Sequence, residues 1–213
     1  MKDYDALYGP KTIDDIIFQS EEIRMTIEKL ATGKFPFPSA GRNGILLWGK
    51  VGTGKSSLAR ILPNAIAKSH GQIHANASMF SVSVGGDNGA MLLEKMKKQS
   101  EHIPFSDYHY FVLDEIDNLR PEAMSALRSV MEVPHTTFIM TTNNLGKLNA
   151  SVQDRSHIIE MNGAAETAWL PVVKNILTKE GKADVYADDD LLDIIRPCNG
   201  SARGIINATY QLL

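Results

Sequence analysis

The sequence has a single cysteine, Cys198, among 213 residues. This excludes an internal disulfide and a cysteine-rich zinc site, and makes a reducing interior, cytoplasmic or nuclear, the expected setting. With no activating neighbour, the thiol reads as a small core residue. No run approaches the roughly 18–20 apolar residues of a membrane span, and the polar residues 1–10 carry no apolar leader core, so no membrane partner is expected. An excess of positive charge is also missing. The formal net charge is −3, which excludes a general basic field for nucleic acid and confines any DNA contact to a local patch. The one basic cluster, Lys95, Lys97 and Lys98, reads as a solvated helix face. Internal repeats and low-complexity segments are absent, which excludes a solenoid. Of six histidines, only His70 and His74 stand four apart, beside Gly71 and without a carboxylate base, so no histidine metal centre is expected.

What is present is globular material, 43% hydrophobic and 22% charged, enough to bury a core. Short β-branched or aromatic runs at 44–49, 79–84, 108–114, 136–142 and 157–161 read as buried strands. Between them, 56–69, 90–101 and 121–131 have helical spacing, the last with Pro121 in its first turn. This alternation predicts an α/β fold with a parallel five-stranded sheet flanked by helices, and ligands at the carboxyl ends of the strands. After Met161 the strands stop, and 165–180, 189–196 and 201–213 are helical. A boundary at 162–163 therefore divides the chain into a domain at 1–162 and a small helical domain at 163–213. Asp184, Asp188 to Asp190 and Asp193 read as an acidic helix start. Trp48 and Trp169 read as anchors at least half-buried.

Gly49-Lys50-Val51-Gly52-Thr53-Gly54-Lys55-Ser56 fits G-x-x-x-x-G-K-[ST], follows a predicted strand and opens a predicted helix, the setting of a P-loop. The glycines let backbone N–H groups curl around phosphate, Lys55 brings a point charge, and Ser56 offers an oxygen to Mg²⁺. The phosphate cradle is expected to run through Ser57. About sixty residues on, Tyr110-Phe111-Val112-Leu113-Asp114-Glu115 is an apolar strand ending in two acids. Asp114 is placed to hold the metal and Glu115 to orient or deprotonate an attacking water. No N-K-x-D guanine-reading segment follows, which leaves ATP with Mg²⁺ as the expected ligand and ATP hydrolysis as the expected reaction.

With these residues in place, the sequence resembles the AAA+ ATPases, most closely the small subunits of the clamp loader, replication factor C. Residues 8–17 resemble the opening Y-R-P-x-T-[LI]-x-[DE]-[ILV], Gln19 to Ile23 resemble G-Q-E-E-[IV], and residues 114–132 resemble D-E-x-D-x-[LM]-x-x-x-A-x-x-A-L-R-x-x-M-E. The resemblance implies a helical lid after the sheet. It places Asn143 in the sensor 1 role of polarising the lytic water. It places Arg155 as the arginine finger that reaches a neighbouring subunit's ATP, although Asp154 and Ser156 replace the usual flanking Ser and Cys. Arg203, in Gly-Ser-Ala-Arg, takes the sensor 2 role at the γ-phosphate. Arg128 would couple adjacent subunits, and Tyr8 would pack near adenine.

Three departures accompany the resemblance. Gly9 stands where the family has the phosphate-contacting arginine of Y-R-P, so weaker nucleotide affinity is expected. Glu94 stands where clamp loaders place a basic DNA-tracking residue. The resemblance ends at Leu213, where clamp-loader subunits continue into a helical collar; a shorter piece or a different assembly both fit, and a collarless assembly would rest on the ATP-bridged interface. The function implied is that of an oligomer, homomeric or heteromeric, with ATP at its interfaces, which loads or remodels a partner such as a sliding clamp on primed DNA. The alternative is an ATP switch that recruits a partner protein without loading it on DNA. A P-loop kinase would need an arginine-rich lid that Arg203 alone does not supply.

Overall fold

A computed structural model describes residues 3–82, 89–104, 107–183 and 185–213. Its strands are β1 (Gly44–Trp48), β2 (Ala77–Ser81), β3 (His109–Asp114), β4 (Thr136–Thr142) and β5 (Ser156–Glu160). Its α-helices are α1 (Tyr4–Tyr8), α2 (Glu21–Ala31), α3 (Lys55–Ser69), α4 (Ala90–Ser100), α5 (Pro121–Met131), α6 (Ala150–Asp154), α7 (Glu166–Lys179), α8 (Asp188–Ile195) and α9 (Ala202–Tyr210). All strand pairs are parallel, in the order β2-β3-β4-β1-β5. Among the described residues no helix is long and apolar enough to cross a membrane.

β1 and most of β3 are continuous apolar runs, and β4 is buried along its whole length, because both faces of the sheet are covered. Side chains alternate across a strand, and the two cores divide accordingly. Ile45, Leu47, Tyr110, Val112 and Ile139 pack with Ile27, Leu58 and Leu62 of α2 and α3. Leu46, Phe111, Leu113, Phe138 and Met140 pack with Met96, Leu127 and Val152 of α4, α5 and α6. A third core, built from Trp169, Val173, Leu177, Leu191, Ile195 and Ile205, joins α7, α8 and α9 into a small helical lid. The lid is capped by its own sequence: Ser201 Oγ accepts the Gly204 amide at 3.1 Å, an N-cap bond that fixes where α9 begins.

The second strand lies at 77–81 rather than 79–84, and residues 83 and 84 of that expectation fall outside the described residues. Pairing sets the frame: Ala77 lies opposite Tyr110 and Ser81 opposite Asp114, so β2 ends level with its neighbours. As an edge strand it leaves Met79 about half exposed, which is why its first residues lack the apolar signature. β3 begins at His109 rather than at 108, β1 stops at Trp48, and β5 is shifted back by one residue to 156–160. The other helices begin or end within a few residues of expectation, the last stopping at Tyr210 rather than 213. Asp188 to Asp190 form the first turn of α8, where Asp188 pairs with Lys174; Asp184 lies outside the described residues. Cys198 is half-buried against the lid core, Trp48 is half-buried and Trp169 is buried.

The parallel frame creates two chemically distinct edges. Trp48, Ser81, Asp114, Thr142 and Glu160 end their strands at one edge, while Gly44 and Ser156 start β1 and β5 side by side at the other.

Candidate active site

At the carboxyl edge, β1 turns into α3 through residues 49–54. Gly49, at φ 140, passes so close to β5 that an added Cβ would collide with the Met161 carbonyl. Gly52, at φ 81, lies under the lid, where a Cβ would meet Ser201 Oγ at 2.5 Å. Only glycine satisfies both the backbone conformation and the space. Thr53, buried, lies 2.7 Å from the Met161 carbonyl and 3.0 Å from that of Lys50, pinning the loop to the end of β5. Lys50 and Val51 are exposed at the loop's tip, and Gly54 is the left-handed residue before α3. Lys55 is 6% exposed and donates to the Gly49 and Lys50 carbonyls at 2.9 and 2.6 Å. Burial lowers its pKa from the usual lysine range, opposed by the Asp114, Asp117 and Glu115 charges; the Arg203 guanidinium adds to the lowering.

Ser56 Oγ donates to Asp114 Oδ1 at 2.8 Å, bringing together two hard oxygen donors of the kind Mg²⁺ selects. Thr141, in the last turn of pleat of β4, donates to the same Asp114 oxygen at 2.5 Å and accepts the Glu115 amide at 3.0 Å. Glu115 has left-handed backbone angles, φ 59 and ψ 50, which for a non-glycine residue cost on the order of 1–3 kcal/mol and persist only when the surroundings impose them. Its carboxylate is exposed and accepts from Asn118 Nδ2 at 3.3 Å. Asn143 follows β4 directly and is exposed on the same edge, since Thr142 lies opposite Trp48 in the sheet. Asp117 accepts from Thr142 Oγ1 at 2.9 Å and from the Asn143 amide at 3.3 Å, fixing the backbone at that position.

The lid reaches the same edge. The Arg203 amide donates to the Gly52 carbonyl at 3.2 Å, and its side chain is exposed above the loop. Behind it, the backbones of Gly163 and Gly200 cross so closely that a Cβ on either would come within 2.7 Å of the other glycine's backbone. Tyr8 is half-buried against the lid: its hydroxyl donates to Glu180 at 2.7 Å, the Lys179 ammonium lies 5.8 Å from its ring centre, and Tyr4 stacks between it and Tyr210.

Two of the predicted arginines are elsewhere. Arg155 immediately precedes β5, and its carbonyl accepts the Asn43 and Gly44 amides at the start of β1. A five-residue strand at roughly 3.3 Å per residue separates that edge from the P-loop by about 16 Å. Arg155 donates to Glu132 at 2.9 Å, and Arg128 approaches the same Glu132 oxygen at 3.4 Å. An open hollow there is lined by Arg128, Ala150, Ser151, Asp154 and Arg155.

Lys55, Ser56, Asp114, Glu115, Asn143 and Arg203 are thus gathered at one edge, with Ser57 in the first turn of α3, and Arg155 is held at the opposite one. Thr141, Thr142, Asp117 and Asn118 were not among the predicted site residues. The signal for the threonines is a polar pair at the carboxyl end of a buried strand, immediately before Asn143. Of the basic cluster on α4, Lys98 pairs with Glu94 at 2.7 Å, and Lys95 and Lys97 are exposed.

The chain is 26% identical over 207 residues to replication factor C small subunit 2 of Pyrobaculum islandicum, covering 94% of this chain and 60% of the relative. It is 27% identical over 211 residues to the replication factor C small subunit of Picrophilus torridus, covering 96% of this chain and 62% of that one. It therefore spans about 60% of the length of these relatives. The RuvB Holliday junction branch migration motor of Thermotoga maritima superposes with a TM-score of 0.68 at 20% identity, over 95% of this chain and 64% of that one, a likeness of fold. Residues 45–163, more than half the chain, match the profile of the ATPase family associated with various cellular activities, and the chain belongs to that AAA family.

Proposed function

We propose that this chain is an ATP-hydrolysing AAA+ subunit of the clamp-loader type, which works in an oligomer and couples ATP binding and hydrolysis to loading or remodelling of a partner on DNA. The observation that carries the reading is the separation of Arg155 from its own P-loop by the length of the sheet. An arginine so placed serves a nucleotide only if that nucleotide belongs to a neighbour, in a head-to-tail interface.

In this reading the residue 49–57 backbone and Lys55 hold the phosphates, Tyr8 borders the adenine side between lid and core, and Arg203 reaches the γ-phosphate from the lid. Ser56 and Asp114 fit Mg²⁺ by their donor chemistry and their 2.8 Å contact; bound there, the ion would neutralise phosphate charge. Glu115 takes the proton of the attacking water, Asn143 orients that water, and the neighbour's copy of Arg155 stabilises the charge of transfer. The division at 162–163 separates the nucleotide-binding part from a lid able to rotate about the Gly163 and Gly200 crossing, which would convert nucleotide state into subunit angle. The replication factor C names of the sequence relatives support the clamp-loader type; a sliding clamp and primed DNA are the partners that this type would imply.

A second reading, an ATP switch that recruits a protein without DNA, is favoured by Glu94, which occupies Lys98 in an ion pair and reduces the charge available to phosphates. Steady-state ATPase measured against protein concentration, with and without primed DNA, separates the two. The loader reading predicts a specific rate that rises with concentration and is stimulated by DNA. A concentration-dependent rate indifferent to DNA selects the switch, and a rate strictly proportional to protein from the lowest concentration removes the shared site.

A further inference from the structure

We infer that Thr141 is a positioning residue for hydrolysis: its buried hydroxyl holds Glu115 in the backbone conformation that aims its carboxylate, and joins that conformation to the oxygen of Asp114 that also contacts Ser56. The inference rests on the reading of Glu115 as the group that takes the proton from water.

The argument starts from where the sheet ends. β3 pairs with β4 as far as Leu113 opposite Met140, and with β2 as far as Asp114 opposite Ser81. The Glu115 amide comes after both ladders and is satisfied by the Thr141 hydroxyl at 3.0 Å. Backbone N–H groups at such a position need a partner. Here the partner is a side chain that is 1% exposed and, being β-branched, restricted in χ1. The polarity of the contact is determined by chemistry. An ionised carboxylate only accepts, so the single Thr141 proton goes to Asp114 Oδ1 at 2.5 Å, leaving a lone pair for the Glu115 amide. That amide belongs to a residue at φ 59, one of only four described non-glycine residues at positive φ and the one at this edge. Without the hydroxyl, nothing described compensates the left-handed turn from the β4 side.

The next residue reinforces the assignment. Thr142 points to the opposite face, as strand alternation requires; it donates to Asp117 at 2.9 Å and accepts the Asn144 amide at 3.0 Å, while Asp117 in turn accepts the Asn143 amide. Two consecutive threonines therefore divide the work: Thr141 fixes the acid pair, and Thr142 fixes the turn that carries Asn143.

The test compares Thr141→Val, which keeps the shape and removes the hydroxyl, with Thr141→Ser, which keeps the hydroxyl. Both are made in the full chain, with kcat and ATP affinity measured separately. Thr141→Val should lower kcat about 10–100-fold, the scale set by misplacing a reacting group by about 1 Å, while ATP affinity stays within about threefold and Thr141→Ser keeps kcat within about threefold of the parent. Thr141→Ala carries the same expectation should the valine variant not fold. Equal losses in the valine and serine variants would assign the effect to packing, and a loss of affinity matching the loss of kcat would assign it to Asp114 and the loop; either overturns the inference. Placing Thr141→Val in a Glu115→Gln background should change the residual rate less than about twofold, because residues acting as one unit are not additive. A further large loss there would show that Thr141 does not act through Glu115. Should Glu115→Gln alone hydrolyse ATP at the parent rate, the general-base reading fails first and the role of Thr141 fails with it.

Discussion

At the carboxyl edge of the sheet, Ser56, Asp114, Thr141 and Glu115 are joined by hydrogen bonds of 2.5–3.0 Å, and the loop beside them is fixed by glycines with no room for a side chain. At the amino edge, Arg155 and Arg128 share one oxygen of an exposed Glu132 above an open hollow. The first edge is organised by its own chain. The second holds two cations, a half-buried Arg155 and an exposed Arg128, through one carboxylate oxygen that solvent reaches, and such solvent-exposed pairs contribute little. The contrast is the one the proposed shared site would require: groups needed before ATP arrives are pre-organised within the subunit, and the arginine proposed to serve a neighbour is tied to the described side chains of its own chain only by an ion pair at the other edge.

The largest expected effect tests the amino edge. Arg155→Ala should lower hydrolysis by about 10³–10⁵-fold, the range of arginine fingers, while ATP binding measured with a fluorescent analogue is unchanged. Equal loss of binding would return Arg155 to its own subunit's site and erase the contrast. Lys55→Ala tests the other edge. Losing two or more charge-assisted contacts of about 1.5–3 kcal/mol each should weaken ATP binding at least about 100-fold, and the same titration detects it. Because burial lowers the Lys55 pKa, parent affinity should begin to fall at a lower alkaline pH than an ordinary lysine would give.

Gly52→Ala sharpens the link between loop and lid. An alanine at φ 81 with its Cβ against Ser201 Oγ costs about 1–2 kcal/mol, which for a chain of this size lowers Tm by roughly 2–8 °C. An unchanged Tm would mean the lid is not seated on the loop. Glu132→Gln gives the smallest effect: thermal stability should change by less than about 1 kcal/mol, as for an exposed pair, and ATP hydrolysis should persist. A cooperative loss of folding would make the amino-edge cluster structural rather than available.

Much of this was legible in the sequence because local patterns and their physical causes coincide. The P-loop spacing, the apolar run into Asp114-Glu115 and the polar turn after β4 each put chemistry at a strand end, and parallel strands bring such ends together. β2 was misplaced because an edge strand need not be apolar on both faces, so the alternation of Ala77 to Ser81 carried little signal. The roles of Thr141 and Asp117 were not visible because they depend on which strands are neighbours, and β4 lies between β1 and β3 only through crossovers that no local window records. The attachment of Arg155 to Glu132 is likewise a matter of tertiary placement, joining the end of α6 to the end of α5.

The most direct test of the shared site is a mixing experiment with Arg155→Ala and Glu115→Gln, each expected to keep only a small residual rate alone and each still binding ATP. Combined in equal amounts, the first supplies an intact carboxyl edge and the second an intact arginine, so ATPase activity should return wherever the two are adjacent. A mixture that stays inactive although the variants co-assemble, or an Arg155→Ala protein that is fully active alone, would contradict the account.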